Sequence, residues 1–240
     1  MPKQLKVVDK SDDNVIDMGM LMNVPMRGLI CARSGAGKSN LMVNLLLSPE
    51  FPYYKIFKDG SQVFIMSGSI NSDEKVKKLV EALDVPESNK YDGYDNDALN
   101  LLYDKLEEEY IEREINKDRP EYPLIIIDDI SFVLGRGQKF NALSRLAQNS
   151  RKLGISFLIT TQHYSQVPKN VRNNITFAVL YKTSISNLEQ IEAEHNYLSS
   201  KKEFLNMWHS NVKSKRDFLV INYDNDNLDI YLNKEFEPVF

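Results

Sequence analysis

The chain has 240 residues, 42% hydrophobic and 27% charged, which is the make-up of an ordinary globular protein with room for one large α/β domain over 1–240. Thirty Lys and Arg against 34 Asp and Glu leave a net charge of −4, which argues against a protein that coats DNA with its whole surface but leaves room for a local basic stripe. One cysteine, Cys31, excludes an intrachain disulfide, and three scattered histidines (His163, His195, His209) argue against structural zinc; no apolar run nears the roughly 20 residues of a membrane span and no basic-then-apolar signal opens the chain, so a soluble intracellular protein is expected.

In chain order, Met18, Met20 and Met22 alternate and predict the buried face of an N-terminal strand. Met26–Ala32 reads as a strand, followed by a glycine turn and a helix to about Leu47. Val63–Met66 is a second strand, Asp73–Leu83 a helix, Val85–Asn96 a loop, and Asp97–Asn116 a charged helix with Lys105, Glu109 and Arg113 on one face. Leu124–Asp128 is the most apolar run and predicts a central strand buried on both sides. A helix over Phe140–Leu153, strands over Ile155–Thr161 and Phe177–Tyr181, and helices over Ile185–Asn196 and Lys201–Asn211 follow. Phe218–Tyr223 and Leu228–Leu232 are expected to form a C-terminal β-hairpin extension around the turn Asp224–Asn227. Apolar runs alternating with helical patterns predict βαβ units: a mainly parallel central sheet with helices on both faces.

Ala32-Arg33-Ser34-Gly35-Ala36-Gly37-Lys38-Ser39 has the Walker A form of a phosphate loop, with Ala in the first glycine position. Gly35 and Gly37 let successive backbone N–H groups curl inward at phosphate oxygens, and the helix starting near Lys38 adds its positive end. Ser34, Gly35, Ala36, Gly37, Lys38, Ser39 and Asn40 are therefore the expected ATP-binding residues; Lys38 meets the β/γ oxygens and the Ser39 hydroxyl ligates Mg²⁺. Ninety positions on, Leu124-Ile125-Ile126-Ile127-Asp128-Asp129 has the Walker B form. Asp128 is expected to hold Mg²⁺ through a water, and Asp129 to orient or deprotonate the attacking water, although Asp is one methylene shorter than the Glu common there. The plain alternative is a strand that ends in two solvated acids. Gln162, ending Thr160-Thr161-Gln162, is expected to sense the γ-phosphate; a Gln that only caps the strand is the alternative. A strand in that place should lie between the two motif strands, as in P-loop NTPases of the additional-strand ATPase type.

Arg151-Lys152-Leu153-Gly154-Ile155-Ser156-Phe157-Leu158-Ile159-Thr160-Thr161-Gln162-His163-Tyr164-Ser165 resembles the FtsK/HerA class of DNA pumps, where an Arg-x-x-Gly-Ile turn leads into a strand ending in Thr-Gln. Val167–Phe177 and Ser184-Ile185-Ser186 continue the pattern, and the stretch from Met26 to Ile191 looks most like the genome-packaging ATPases of poxviruses, related large DNA viruses and virophages. The resemblance implies a homo-oligomeric ring that moves double-stranded DNA into a preformed capsid, a capsid vertex protein as partner, and residence in host-cell cytoplasm or virion. It also implies an arginine given to the neighbouring subunit's ATP. Arg151 matches that position, with Arg145 and Arg172 in reserve and a helix-end role as the alternative. Backbone contacts to DNA are expected from Arg136, Lys139, Lys55 and Lys58, while the basic run Lys213-Ser214-Lys215-Arg216 touches DNA or only borders a strand. No complete nuclease domain fits after Tyr181, so DNA cleavage is not expected. A nucleotide-dependent switch or loader, and a cellular or plasmid pump of the same superfamily, remain as other readings.

Overall fold

A computed structural model describes residues 14–130 and 141–240. Its strands are β1 (Arg27–Cys31), β2 (Val63–Ser67), β3 (Lys90–Tyr91), β4 (Leu124–Asp128), β5 (Ser156–Thr161), β6 (Phe177–Tyr181), β7 (Phe218–Asn222) and β8 (Tyr231–Leu232). The helices are α1 (Lys38–Leu47), α2 (Tyr53–Ile56), α3 (Glu74–Ala82), α4 (Asn96–Asn116), α5 (Asn141–Asn149), α6 (Lys169–Arg172), α7 (Ile185–His195) and α8 (Lys201–Asn211). One sheet runs β3-β2-β4-β5-β1-β6-β7-β8; β3 to β6 pair in parallel, and β7 and β8 join antiparallel. The Thr-Thr-Gln strand thus lies between the Walker A and Walker B strands, as the sequence predicts.

The period of two along β4 divides the core. Ile125 and Ile127 pack on the face covered by α4, α5, α7 and α8, whereas Leu124 and Ile126 face α1, α2 and α3. With helices on both sides the strands are apolar on both faces, which explains the unbroken Leu-Ile-Ile-Ile run. Among the described residues, no helix is long and apolar enough to cross a membrane.

Three local expectations are corrected. Met18, Met20 and Met22 do not line one buried strand face: Met22 is buried, Met20 is exposed, and only a single bridge, Ile16 to Val24, closes a turn there. Asn225 and Asn222 amides bond the Met20 carbonyl and tie the segment down instead. The loop over Val85–Asn96 contains the edge strand β3. The C-terminal hairpin is shorter than expected, because Asn227–Ile230 forms a 3₁₀ turn and leaves two residues in β8. The Asn225 amide donates to the Asp229 carbonyl and the Asp229 N–H to Asp226, local bonds that compete with strand pairing.

Behind the sheet, a polar cluster joins α6 and α7 to β7. Arg172 forms a two-pronged pair with Glu194 (2.6 and 2.9 Å), and His195 sits between the Tyr164 hydroxyl (2.5 Å) and that of Tyr223. Burial pushes His195 down to about 4, with Glu194 opposing and Arg172 adding to the effect. The folded chain therefore refuses a proton that the unfolded chain accepts near pH 6.5. Stability is full above that value and falls as pH drops from about 6.5 to about 4, by up to roughly 3 kcal/mol. Urea unfolding at pH 7 and pH 5 should show a clear loss of midpoint in the wild type and a smaller one in His195→Gln; equal losses would contradict this account.

Candidate functional site

The register of the sheet builds the site. Ser67 pairs across from Asp128, and Cys31 from Thr161, so the C-terminal ends of β1, β2, β4 and β5 meet along one edge. Asp128 ends the central strand almost wholly buried, and its carboxylate accepts three hydroxyls. Ser67 (3.0 Å) and Ser69 (3.2 Å) bond Oδ2, and Thr160 (2.7 Å) bonds Oδ1. Thr160 Oγ1 also accepts the Asp129 N–H at 2.8 Å, which fixes Asp129 in a left-handed conformation (φ 51°) that non-glycine residues seldom adopt.

The Walker A loop leaves β1 and turns through Gly35 (φ 69°) and Gly37 (φ 118°), with the Ala36 N–H bonded to the Arg33 carbonyl. Gly37 caps α1, whose first residue is Lys38. Neighbouring strands are about 4.8 Å apart, so β1 and β4, one strand removed, are separated by about 10 Å. Lys38 spans that gap: its Nζ lies 3.5 Å from Asp129 Oδ2, the oxygen that also accepts Gln162 Nε2 at 2.7 Å. Burial pushes the Cys31 thiol up to about 12 against the pull of Lys38, so it stays protonated beside the loop.

Lys38, Ser69, Asp128, Asp129 and Gln162 line one cleft of about 430 Å³, together with Arg33, Ser72, Asp73 and Lys75. Of the expected binding residues, Ser34, Gly35, Gly37, Lys38 and Ser39 line it; the Ala36 side chain is buried in the core and Asn40 is exposed away from it. Arg151 is not in this cleft. It precedes β5 and is exposed at the opposite end of the strands, roughly 20 Å away at about 3.3 Å per residue. The two reserve arginines are engaged within the fold: Arg145 with Asp104 (2.5 Å) and Glu107 (2.9 Å) over the Tyr103 ring, and Arg172 with Glu194. Lys55 and Lys58 are exposed, and Arg136 and Lys139 lie outside the described residues.

Sequence reasoning missed Ser67, Ser69 and Asp73, and read Lys215 only as part of a basic run that touches DNA or borders a strand. The signal for the first two was a hydroxyl-rich segment, Ser67-Gly68-Ser69, directly after the strand that neighbours Walker B. Lys215 comes from the far end of the chain; a Cβ placed on Gly35 would stand 3.1 Å from its Nζ. Its turn is anchored by Lys182, which bonds the Lys213 carbonyl, and by Asp217, whose carboxyl the Ser214 amide and the Lys234 ammonium hold down at about 2. The basic run thus reaches the phosphate loop's rim.

The donor set fits Mg²⁺, since Ser39, Asp128 and their neighbours offer only hard oxygens. Among the described residues no three His, Cys, Asp or Glu side chains gather to hold a metal. Replacing Thr160 by Val should strand Asp128 Oδ1 and the Asp129 N–H, costing about 1–3 kcal/mol in urea unfolding. Thr160→Ser should recover most of that; a valine variant as stable as wild type would contradict the shared-hydroxyl role.

Comparison with known proteins follows the same lines. Monkeypox virus "DNA packaging protein OPG160" is 26% identical over 200 residues, covering 78% of this chain and 58% of the relative, so the chain spans little more than half of that protein. The genome packaging NTPase B204 from Sulfolobus turreted icosahedral virus 2, in complex with AMP, shares the fold with a TM-score of 0.55 at 16% identity, over 83% of this chain and 94% of that one. EssC (ATPases 2 and 3) from Geobacillus thermodenitrificans gives 0.57 at 16% identity, over 86% and 42%. The model of the poxvirus A32 protein family matches residues 15–228, nearly the whole of the described fold, and the chain belongs to that family.

Proposed function

We propose that this chain is a Mg²⁺-dependent ATPase that works as a homo-oligomeric ring and drives double-stranded DNA into a viral capsid. The observation that carries the reading is the meeting of Lys38, Ser39, Asp128, Asp129 and Gln162 around one cleft of about 430 Å³. Family membership and the packaging role named for the monkeypox relative support DNA as the cargo. A capsid vertex protein is the expected docking partner.

The loop's amides at Gly35, Gly37 and Lys38 cradle the β- and γ-phosphates, while the Ala36 amide holds the turn through the Arg33 carbonyl, and Lys38 turns from Asp129 to the phosphate oxygens when ATP enters. Ser39 and Asp128 would hold the metal, which when bound would neutralise charge developing on the phosphoryl oxygens. Release from Lys38 leaves Asp129 Oδ2 open to the attacking water. Gln162, already bonded to Asp129, places that water, and Asp129 takes its proton as the water oxygen bonds the γ-phosphorus and the bond to the bridging oxygen breaks, releasing ADP and inorganic phosphate. Arg151 lies too far from its own cleft to take part there. Its exposed place at the opposite end of the strands suits a guanidinium that completes a neighbour's site, where its planar donors would meet the γ-phosphoryl oxygens.

DNA-stimulated ATP hydrolysis tests the reading. Lys38→Ala should lose nucleotide binding, whereas Asp129→Asn should keep binding and lose about 100-fold or more in turnover. Arg151→Ala subunits mixed with wild type should depress the turnover of their neighbours. Equal DNA stimulation of all variants would contradict the assignments, and slow turnover indifferent to DNA would favour a partner switch over a pump.

A further inference from the structure

Asp73 stands immediately before α3, and its two carboxylate oxygens have different work. Oδ1 accepts the Lys75 N–H at 2.8 Å and caps the helix. Oδ2 accepts the Ser39 hydroxyl at 3.2 Å, across 34 residues of sequence. The Asp73 N–H donates to the Ser69 carbonyl at 2.8 Å, while Ser69 Oγ donates to Asp128 at 3.2 Å. The segment from Ser67 to Asp73 therefore places Asp73 and steadies Asp128, and both acids line the same cleft.

A serine that ligates a cation does so through an oxygen lone pair and keeps its proton, which must be donated elsewhere. A helix cap alone does not require the second oxygen. From this geometry we propose that Asp73 is a positioning residue for the metal: it accepts the Ser39 hydroxyl's hydrogen bond, so that the hydroxyl presents its lone pairs to Mg²⁺. The inference rests on the nucleotide reading of the cleft and adds a residue that neither the Walker A nor the Walker B pattern contains. Groups that orient a metal ligand change metal affinity by about 10- to 100-fold when removed.

Asparagine separates the two duties. Asn caps a helix about as well as Asp, so Asp73→Asn keeps its oxygen on the Lys75 N–H. Its amide NH₂ then faces Ser39, and the hydroxyl must accept rather than donate, so one of its two lone pairs is occupied and its proton loses its acceptor, turning toward the metal side. Asp73→Ser also keeps a cap but is too short to reach Ser39. Binding of a fluorescent ATP analogue is titrated with Mg²⁺, with a parallel series in EDTA, and Mn²⁺ uptake by the protein–nucleotide complex is followed by electron paramagnetic resonance. Both variants should need about 10-fold more Mg²⁺ or Mn²⁺ to reach half-saturation, while metal-free nucleotide affinity, with one fewer negative charge in the cleft, is no weaker than in wild type. Wild-type metal affinity in Asp73→Asn would overturn the proposal and leave Asp73 a helix cap. Parallel loss of metal-free nucleotide binding would overturn it as well, pointing to a distorted loop. If wild type binds no analogue, the nucleotide reading of the cleft fails first, and this inference with it; if wild type binds the analogue with no response to metal, this inference alone is overturned.

Discussion

A carboxylate at the buried end of a central strand is tolerable only when its oxygens are satisfied, and Asp128 meets that condition through strand register. Because β4 lies between β2 and β5, hydroxyls approach from both sides: Ser67 and Ser69 on one oxygen, Thr160 on the other. A slip of one residue in either pairing would turn these hydroxyls to the opposite face of the sheet and leave the acid stranded. The same Thr160 oxygen holds the Asp129 amide, so the position of the second acid is inherited from the first. Everything at the cleft depends on this arrangement of strand ends.

Against that fixed floor, the movable part is electrostatic. Lys38 and Gln162 converge on one oxygen of Asp129. With the Lys38 side chain 11% and the Asp129 side chain 25% exposed, this pairing holds the ammonium and the acid in place, and each is poised to exchange its partner. A polyphosphate carries more charge than one carboxylate and competes directly for Lys38. On the proposed reading, nucleotide entry would withdraw the lysine and expose the acid at the same moment, coupling binding to readiness for hydrolysis without a large rearrangement.

Much of this was legible in the sequence, for reasons that particular residues make plain. The Gly-x-Gly-Lys-Ser turn and the Leu-Ile-Ile-Ile-Asp-Asp run are local patterns, and a strand buried on both faces can hardly be written any other way than as β4 is. Their meeting was inferable because parallel strands in βαβ units bring their C-terminal ends to one edge. Ser67, Asp73 and Lys215 were not legible, since each matters through a partner 34 to 180 positions distant: Asp128, Ser39 and Gly35. The methionine alternation misled because a period of two in a short segment also fits a turn pinned by Asn222 and Asn225.

The account stands most directly on the exchange at Lys38. A structure determined with Mg²⁺ and a non-hydrolysable ATP analogue should show the Lys38 ammonium on the β/γ-phosphate oxygens, out of ion-pair range (about 4 Å) of Asp129. The Ser67 and Thr160 bonds to Asp128 should persist. An analogue seated elsewhere, with the 3.5 Å contact between Lys38 and Asp129 intact, would contradict it.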